Sequence, residues 1–213
     1  MYYSIENKTD KEVGNVFPQV SCISINLAHQ IQFDEFSYFD SELLFELQPK
    51  AKLTDVLSQA AISARGLLVN QKVKDLFSQF NLMQHRYYKC FIKDLKGKTH
   101  EYFWLHLSDY SLLNTINYSK SKFYTKESGF REDEISLISF DDYKAKLKEL
   151  GSLWTISSDY LELDTNFNKE LDLFVIPIFD KHIYASEKLK EAIDSTHISG
   201  ININKTEAVF SLK

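Results

Sequence analysis

The pattern Leu68-Val-Asn-Gln-Lys-Val-Lys-Asp-Leu-Phe-Ser-Gln-Phe-Asn-Leu82 returns later in the chain as Tyr184-Ala-Ser-Glu-Lys-Leu-Lys-Glu-Ala-Ile-Asp-Ser-Thr-His-Ile198. Each copy reads as strand, capped helix, turn and strand. Asn70 and Ser186 stand where a side-chain oxygen can accept from the unpaired N–H groups of a first helical turn. Apolar residues then recur at helical spacing: Val73, Leu76, Phe77 and Phe80 in the first copy, and Leu189, Ala192 and Ile193 in the second. Lysines match as well, Lys72 with Lys188 and Lys74 with Lys190. Residues 68–92 and 184–208 are therefore expected to form superposable strand–helix–strand pieces, with the helical stripes buried.

The rest of the chain supplies mainly strands. Ile23, Ile25 and Leu27 alternate as in a strand, an aromatic and acidic stretch runs from Phe33 to Phe45, and residues from Thr54 form either a loop or a short helical run through Ala64, capped by Thr54 and closed by Gly66. Tyr87 to Lys93 and His100 to Leu107, joined by Asp94-Leu-Lys-Gly-Lys98, predict a β-hairpin. Ile116 to Tyr124, Ile135 to Phe140, Leu153 to Ile156, Tyr160 to Leu163 and Ala208 to Leu212 are further strand segments. A helix is expected from Asp141 or Asp142, with Gly151 as its left-handed cap, and the strand in the apolar run Leu171 to Phe179 should end at Pro177 or have one edge free there. The fold class is α+β, antiparallel strands and hairpins with a few packed helices, containing the duplicated strand–helix–strand unit. One globular domain is expected over residues 1–213, with the boundaries of residues 1–60 least defined by pattern.

Reactive constellations are scarce. His100 and His106 lie six residues apart, about 20 Å along a strand at roughly 3.3 Å per residue, too far to chelate one metal. Ser108 and Asp109 beside His106 invite comparison with a triad, but neighbours in sequence do not supply the geometry of nucleophile, base and orienter. The six glycines are too scattered for a phosphate-cradling loop. Cys22 and Cys90 have no CxxC partner, which argues against a disulfide framework or a thiolate zinc site. We therefore assign no catalytic, cofactor-binding or metal-ligating residues and expect no cofactor.

The strand Glu101-Tyr-Phe-Trp-Leu-His-Leu107 differs between its faces: Tyr102, Trp104 and His106 point one way, Phe103, Leu105 and Leu107 the other. If the first face is open, Tyr and Trp are the side chains best suited to anchor a partner, and Tyr118, Phe123 and Tyr124 could extend it. Tyr102, Trp104, His106, Tyr118 and Phe123 are the candidate partner-binding residues.

The series Gly66-Leu-Leu-Val-Asn-Gln-Lys, Tyr102-Phe-Trp-Leu-His106, Ile116-Asn-Tyr-Ser-Lys-Ser-Lys-Phe123, Leu171-Asp-Leu-Phe174 and Tyr184-Ala-Ser-Glu-Lys-Leu-Lys with Ile198-Ser-Gly-Ile201 resembles a group of immunity proteins from bacterial polymorphic toxin systems. It spans roughly residues 60 to 205, so that residues 61–213 form the part resembling the family and residues 1–60 do not contribute. In related sequences the turn before the last strands often reads Thr-Gly, where Ser199-Gly200 stands here. The resemblance implies a cytoplasmic α+β protein that binds and neutralises a cognate protein toxin, commonly by blocking its active site, without catalysis.

Charge and composition are compatible with that expectation. A formal charge of −5 with only Arg65, Arg86 and Arg131 as arginines argues against a nucleic-acid binder. Acidic segments at Glu132-Asp133-Glu134, Asp141-Asp142 and Asp159, Glu162 and Asp164 suit either a solvated surface or a basic partner. The longest apolar run, Leu173 to Phe179, is too short to span a bilayer, and no signal peptide is read, so a reducing cytoplasm is expected. The runner-up is a small hydrolase-like enzyme built around groups such as His106 and Asp109, and a scaffold role is a third reading.

Overall fold

The computed structural model describes residues 1–205 and 210–212, and it is α+β with mostly antiparallel sheets. In chain order the elements begin with β1 (Tyr2–Asn7), β2 (Val20–Cys22), α1 (Ile25–Ala28), β3 (Leu43–Leu47), β4 (Val56–Leu57), β5 (Gly66–Val69), α2 (Gln71–Phe77), β6 (His85–Lys93) and β7 (Thr99–Leu107). A 3-10 turn at Tyr110–Thr115 leads to β8 (Lys122–Glu127), β9 (Phe130–Ile135), α3 (Phe140–Leu150) and β10 (Trp154–Leu163). The last elements are β11 (Leu173–Val175), β12 (Ile183–Ser186), α4 (Glu187–Ser195), β13 (Ile201–Lys205) and β14 (Phe210–Leu212).

The chain forms two compact units. The first holds Met1–Asp109, Glu170–Val175 and His182–Lys205, and contains two sheets, ordered β2-β3-β6-β7-β5-β4 and β11-β12-β1-β13. The second holds Tyr110–Lys169 and Ile176–Lys181 with strand β14, and its sheet runs β14-β10-β8-β9. Its core is aromatic: Phe179 lies 5.2 Å from both Phe123 and Tyr143, and Tyr118 stacks on Phe123 at 5.6 Å.

Both copies of the repeated pattern are a strand leading into a capped helix, followed by a further strand. Asn70 Oδ1 accepts from Val73 N at 3.1 Å, and Ser186 Oγ accepts from Leu189 N at 3.1 Å. In each, the two strands run parallel but are not neighbours. β7 stands between β5 and β6, antiparallel to both, and β1 stands in the same way between β12 and β13. Each copy is thus a split βαβ arrangement, its helix packed on one of its own strands and on the inserted one. Val73, Phe77, Leu189 and Ile193 are buried as their spacing predicts; Leu76 is only half-buried, at the margin of the stripe. Residues 206–208 of the second expected segment lie outside the described residues.

The two copies are fastened to each other by matching carboxylates that precede them. Asp55 accepts from its own copy's cap, Asn70, through its carbonyl (2.9 Å) and Oδ1 (2.9 Å), while its Oδ2 accepts from Ser199 N of the other copy at 2.9 Å. Asp172 repeats this, accepting from Ser186 N at its carbonyl (2.8 Å), from Ser186 Oγ at Oδ1 (2.6 Å), and from Asn81 N of the first copy at Oδ2 (3.0 Å). Burial opposes ionisation of Asp55, but hydrogen bonds from Ser199, Asn70 and Lys72 outweigh it and hold the carboxyl below its usual range. Gly200, at φ 91°, completes the contact, because a Cβ there would stand 2.0 Å from the Val56 carbonyl oxygen.

Several local expectations are corrected. The Ile23 to Leu27 stretch is not a strand: β2 ends at Cys22, Ser24 Oγ accepts from Leu44 N at 2.8 Å, and the chain turns into α1. No helix follows Thr54, because Asp55 and Val56 are drawn into the contact with Ser199, and Gly66 opens β5 rather than closing a helix. Residues 116–121 form a bridge and a turn before β8, and the strand expected at Ile135 to Phe140 ends at its first residue. Ser139, not an aspartate, caps α3, accepting from Asp142 N at 3.1 Å, and Gly151 follows at φ 93° as expected. The two short strands after it are one irregular strand, β10, and the apolar run Leu171 to Phe179 contributes only the short strand β11. Of the last expected strand, Ala208 and Val209 lie outside the described residues.

Asp55→Ala and Asp172→Ala should each lower the unfolding free energy by about 2–3 kcal/mol, since each removes a charged acceptor serving both copies. Ile193→Ala should cost about 2–5 kcal/mol, and half-buried Leu76→Ala clearly less. Urea titrations measure all four; a loss below about 0.5 kcal/mol for either aspartate would contradict the fastening role.

Candidate functional site

Strand β7 shows how an alternating sequence becomes a covered surface. Phe103, Leu105 and Leu107 are buried on the face where α2 packs. The opposite face is covered as well: Tyr102, Trp104 and His106 are 5%, 3% and 0% exposed. Tyr102 donates to the Thr54 carbonyl at 2.7 Å. Trp104 lies over Gly66, where a Cβ would come within 2.8 Å of the indole. Tyr118 and Phe123 are buried in the core of the second unit, Tyr118 donating to the Leu113 carbonyl at 3.1 Å. None of these five residues forms an exposed anchor in the folded chain, which corrects the expectation of an open aromatic face. Alternation fixes which residues share a face, whereas exposure depends on segments remote in sequence.

The cover over His106 is the segment between α1 and β3, residues 29–42. Ile31 roots it in the core. Phe36 meets the His106 ring edge-on at 5.0 Å, and Phe39 stacks on Tyr88 at 5.2 Å. Tyr88 Oη donates to the Ser37 carbonyl at 3.0 Å, and Ser108 Oγ donates to the Phe33 carbonyl at 3.0 Å. On its outer side Phe33 and Tyr38 are 57% and 82% exposed, the Arg86 guanidinium lies 3.8 Å from the Tyr38 ring, and Asp34, Glu35, Asp40 and Glu42 are exposed. Sequence reading marked this aromatic and acidic stretch but not its role, since its inner contacts are made to β6 and β7.

His106 has no orienting partner in this geometry. Neither ring nitrogen has a hydrogen-bond partner, so neither Ser108 nor Asp109 orients it. Burial alone lowers its pKa from the ordinary 6.5 to about 4, leaving it neutral at pH 7. The other histidines are dispersed: His100 Nε2 lies 3.0 Å from Asp94 within the β6–β7 hairpin, and His85 Nδ1 lies 2.9 Å from the Met83 carbonyl. Among the described residues no group of three or more His, Cys, Asp or Glu side chains is arranged to hold a metal ion. Cys22 and Cys90 are free thiols, and burial pushes the Cys90 thiol far up.

No protein-family model matches this chain, and no curated protein does either. The surface itself therefore carries the functional argument. A cleft of about 400 Å³ in the first unit has Ile193, Ile198, Ile201 and Ile203 in its lining, but the lysines beside them, Lys8 and Lys190, are engaged by Glu12 at 2.5 Å and Asp194 at 2.6 Å. Of the acidic segments read from sequence, Glu162 is buried and accepts from Asn117 at 2.9 Å, Asp159 holds Arg131 through two 2.8 Å bonds, and Asp142 accepts from Ile138 N at 3.0 Å. Those carboxylates serve the fold. Glu132 and Asp133 on β9 are exposed, as are the four on residues 29–42.

Trp104→Ala should act as a core truncation, costing about 3–5 kcal/mol of stability, while Tyr102→Phe should cost about 1 kcal/mol for one lost hydrogen bond. The folded pKa of His106 is depressed, so the folded protein binds fewer protons than the unfolded chain, and stability falls as pH drops below 6.5, levelling near 4. That contribution is about 3 kcal/mol. Denaturant titrations at pH 7 and pH 4 should show His106→Phe retaining that much more of its pH 7 stability than the unaltered protein; equal losses in both would refute the assignment.

Proposed function

We propose that this chain is an immunity protein that binds a cognate bacterial toxin and blocks its active site. The observation that carries the reading is the outer side of residues 29–42, where Phe33 and Tyr38 project into solvent among four exposed carboxylates. Exposed aromatic rings give large contact area with little side-chain entropy to lose, and surrounding carboxylates steer a basic protein surface toward them. The sequence resemblance over residues 60 to 205 supports the same reading. It covers most of the framework on which this surface is mounted, while the surface falls in the first sixty residues, outside the resemblance. A protein specific for one toxin needs that division between a shared scaffold and an individual contact surface. Action in the producing cell's cytoplasm belongs to the same proposal.

The test is co-expression with the toxin encoded beside this chain, read by cell survival and by pull-down of the complex. Survival should accompany a stable complex, and Phe33→Ala with Tyr38→Ala should each weaken binding by about 2 kcal/mol without loss of fold. Survival without any complex, or turnover of a small substrate by the isolated protein, would overturn the reading. Binding unchanged in both variants would move the contact surface elsewhere.

A further inference from the structure

Among the described residues, His106 is the side chain that leaves two buried polar atoms without a hydrogen-bond partner. Its two nitrogens are shielded from water and meet no donor or acceptor, so the imidazole forgoes hydrogen bonds it would make in solvent. Its surroundings are rings and one cation. Phe36 closes it from residues 29–42, Tyr88 on β6 stacks beside it at 6.2 Å, and Gly66 on β5 faces it without a side chain. The charged residue opposite it on β6 is Arg86, whose guanidinium lies on the Tyr38 ring, and it offers the imidazole no acceptor. The nearest acids in sequence on the cover, Asp34 and Glu35, are exposed. Nothing in this arrangement welcomes an imidazolium, and the part of its enclosure made outside the sheet is the cover.

We propose that residues 29–42 form an acid-released strap, held closed over β6 and β7 only while His106 is neutral. The strap has the makeup of a locally opening segment: beyond the core anchor Ile31, residues 32–42 contain no helix or strand and are fixed by two ring contacts, the Tyr88–Ser37 and Ser108–Phe33 bonds, and Arg86 on Tyr38. Opening it admits water to His106 and lets the ring take up a proton. Proton binding and opening are thereby linked, and acid raises the open population while the sheet beneath keeps its ladder. The inference is independent of the identity of any partner.

Native-state proteolysis with a glutamate-specific protease tests this, because Glu35 and Glu42 lie in the strap and such enzymes work at both pH 7 and pH 5. Cleavage after Glu35 is normalised at each pH to that of a free peptide of residues 29–42, which converts the rate into an opening equilibrium. With the folded pKa near 4 and the open one near 6.5, normalised cleavage should rise about 20-fold from pH 7 to pH 5. In His106→Phe the rise should be less than about twofold, and cleavage after Glu191 in α4 should not follow the strap. An unchanged rate in the unaltered protein, an equal rise in His106→Phe, or parallel cleavage at Glu191 would each overturn the proposal. If His106→Phe does not fold, NMR titration of the unaltered protein decides: a His106 midpoint below pH 5.5 at which the amide signals of residues 32–42 shift with the ring supports the strap, and a higher midpoint, or strap signals that do not follow the ring, refutes it.

Discussion

Two carboxylates, Asp55 and Asp172, hold the first unit together. Each binds the helix cap of its own copy with one oxygen and the turn after the other copy's helix with the second. A carboxylate is suited to this because it accepts at two oxygens in a fixed plane, and its charge strengthens every bond it receives. The cost of withdrawing it from water is met only if all partners are in place. Either aspartate therefore reports on both copies together: the cap, the turn and the strand that follows each turn are positioned by the same side chain.

The two strand–helix–strand pieces were legible because their signals are local. Asn70 and Ser186 as caps, the apolar stripes, the hairpin around Gly97 and the cap at Gly151 each depend on residues a few positions apart. The contacts that complete the unit are not local. Asp55 and Ser199 are separated by 144 residues, and nothing in the short run Thr54-Asp-Val-Leu57 distinguishes a helix start from a strand drawn out by a distant turn. Insertion of β1 and β7 between strands that are consecutive in each copy was hidden for the same reason: alternation reports a strand's faces and says nothing about its neighbours.

The aromatic strand gives a related lesson. Tyr102, Trp104 and His106 do share one face of β7, as their spacing requires, but the exposure of His106 was decided by a segment some seventy residues earlier. In that segment the aromatic residues divide by role. Phe36 and Phe39 turn inward to seal the sheet, whereas Phe33 and Tyr38 remain outside among carboxylates. Composition alone marks such a stretch as unusual; only the inward contacts separate the rings that cover the core from those left for a partner.

The position of β1 has a consequence for how the chain reaches this structure. Tyr2–Asn7 is made about 175 residues before the first of its partners, β12 and β13, since Tyr2 pairs with Ser186 and Asn7 with Ile201. Until those partners are made this strand has two unsatisfied edges, and its apolar and aromatic residues are open to pairing with other chains. The residues just after it, Lys8, Asp10, Lys11 and Glu12, place charges of both signs beside that exposed strand. Charges flanking an unpaired strand oppose edge-to-edge association, and in the folded chain Glu12 accepts from Gly200 N at 2.8 Å.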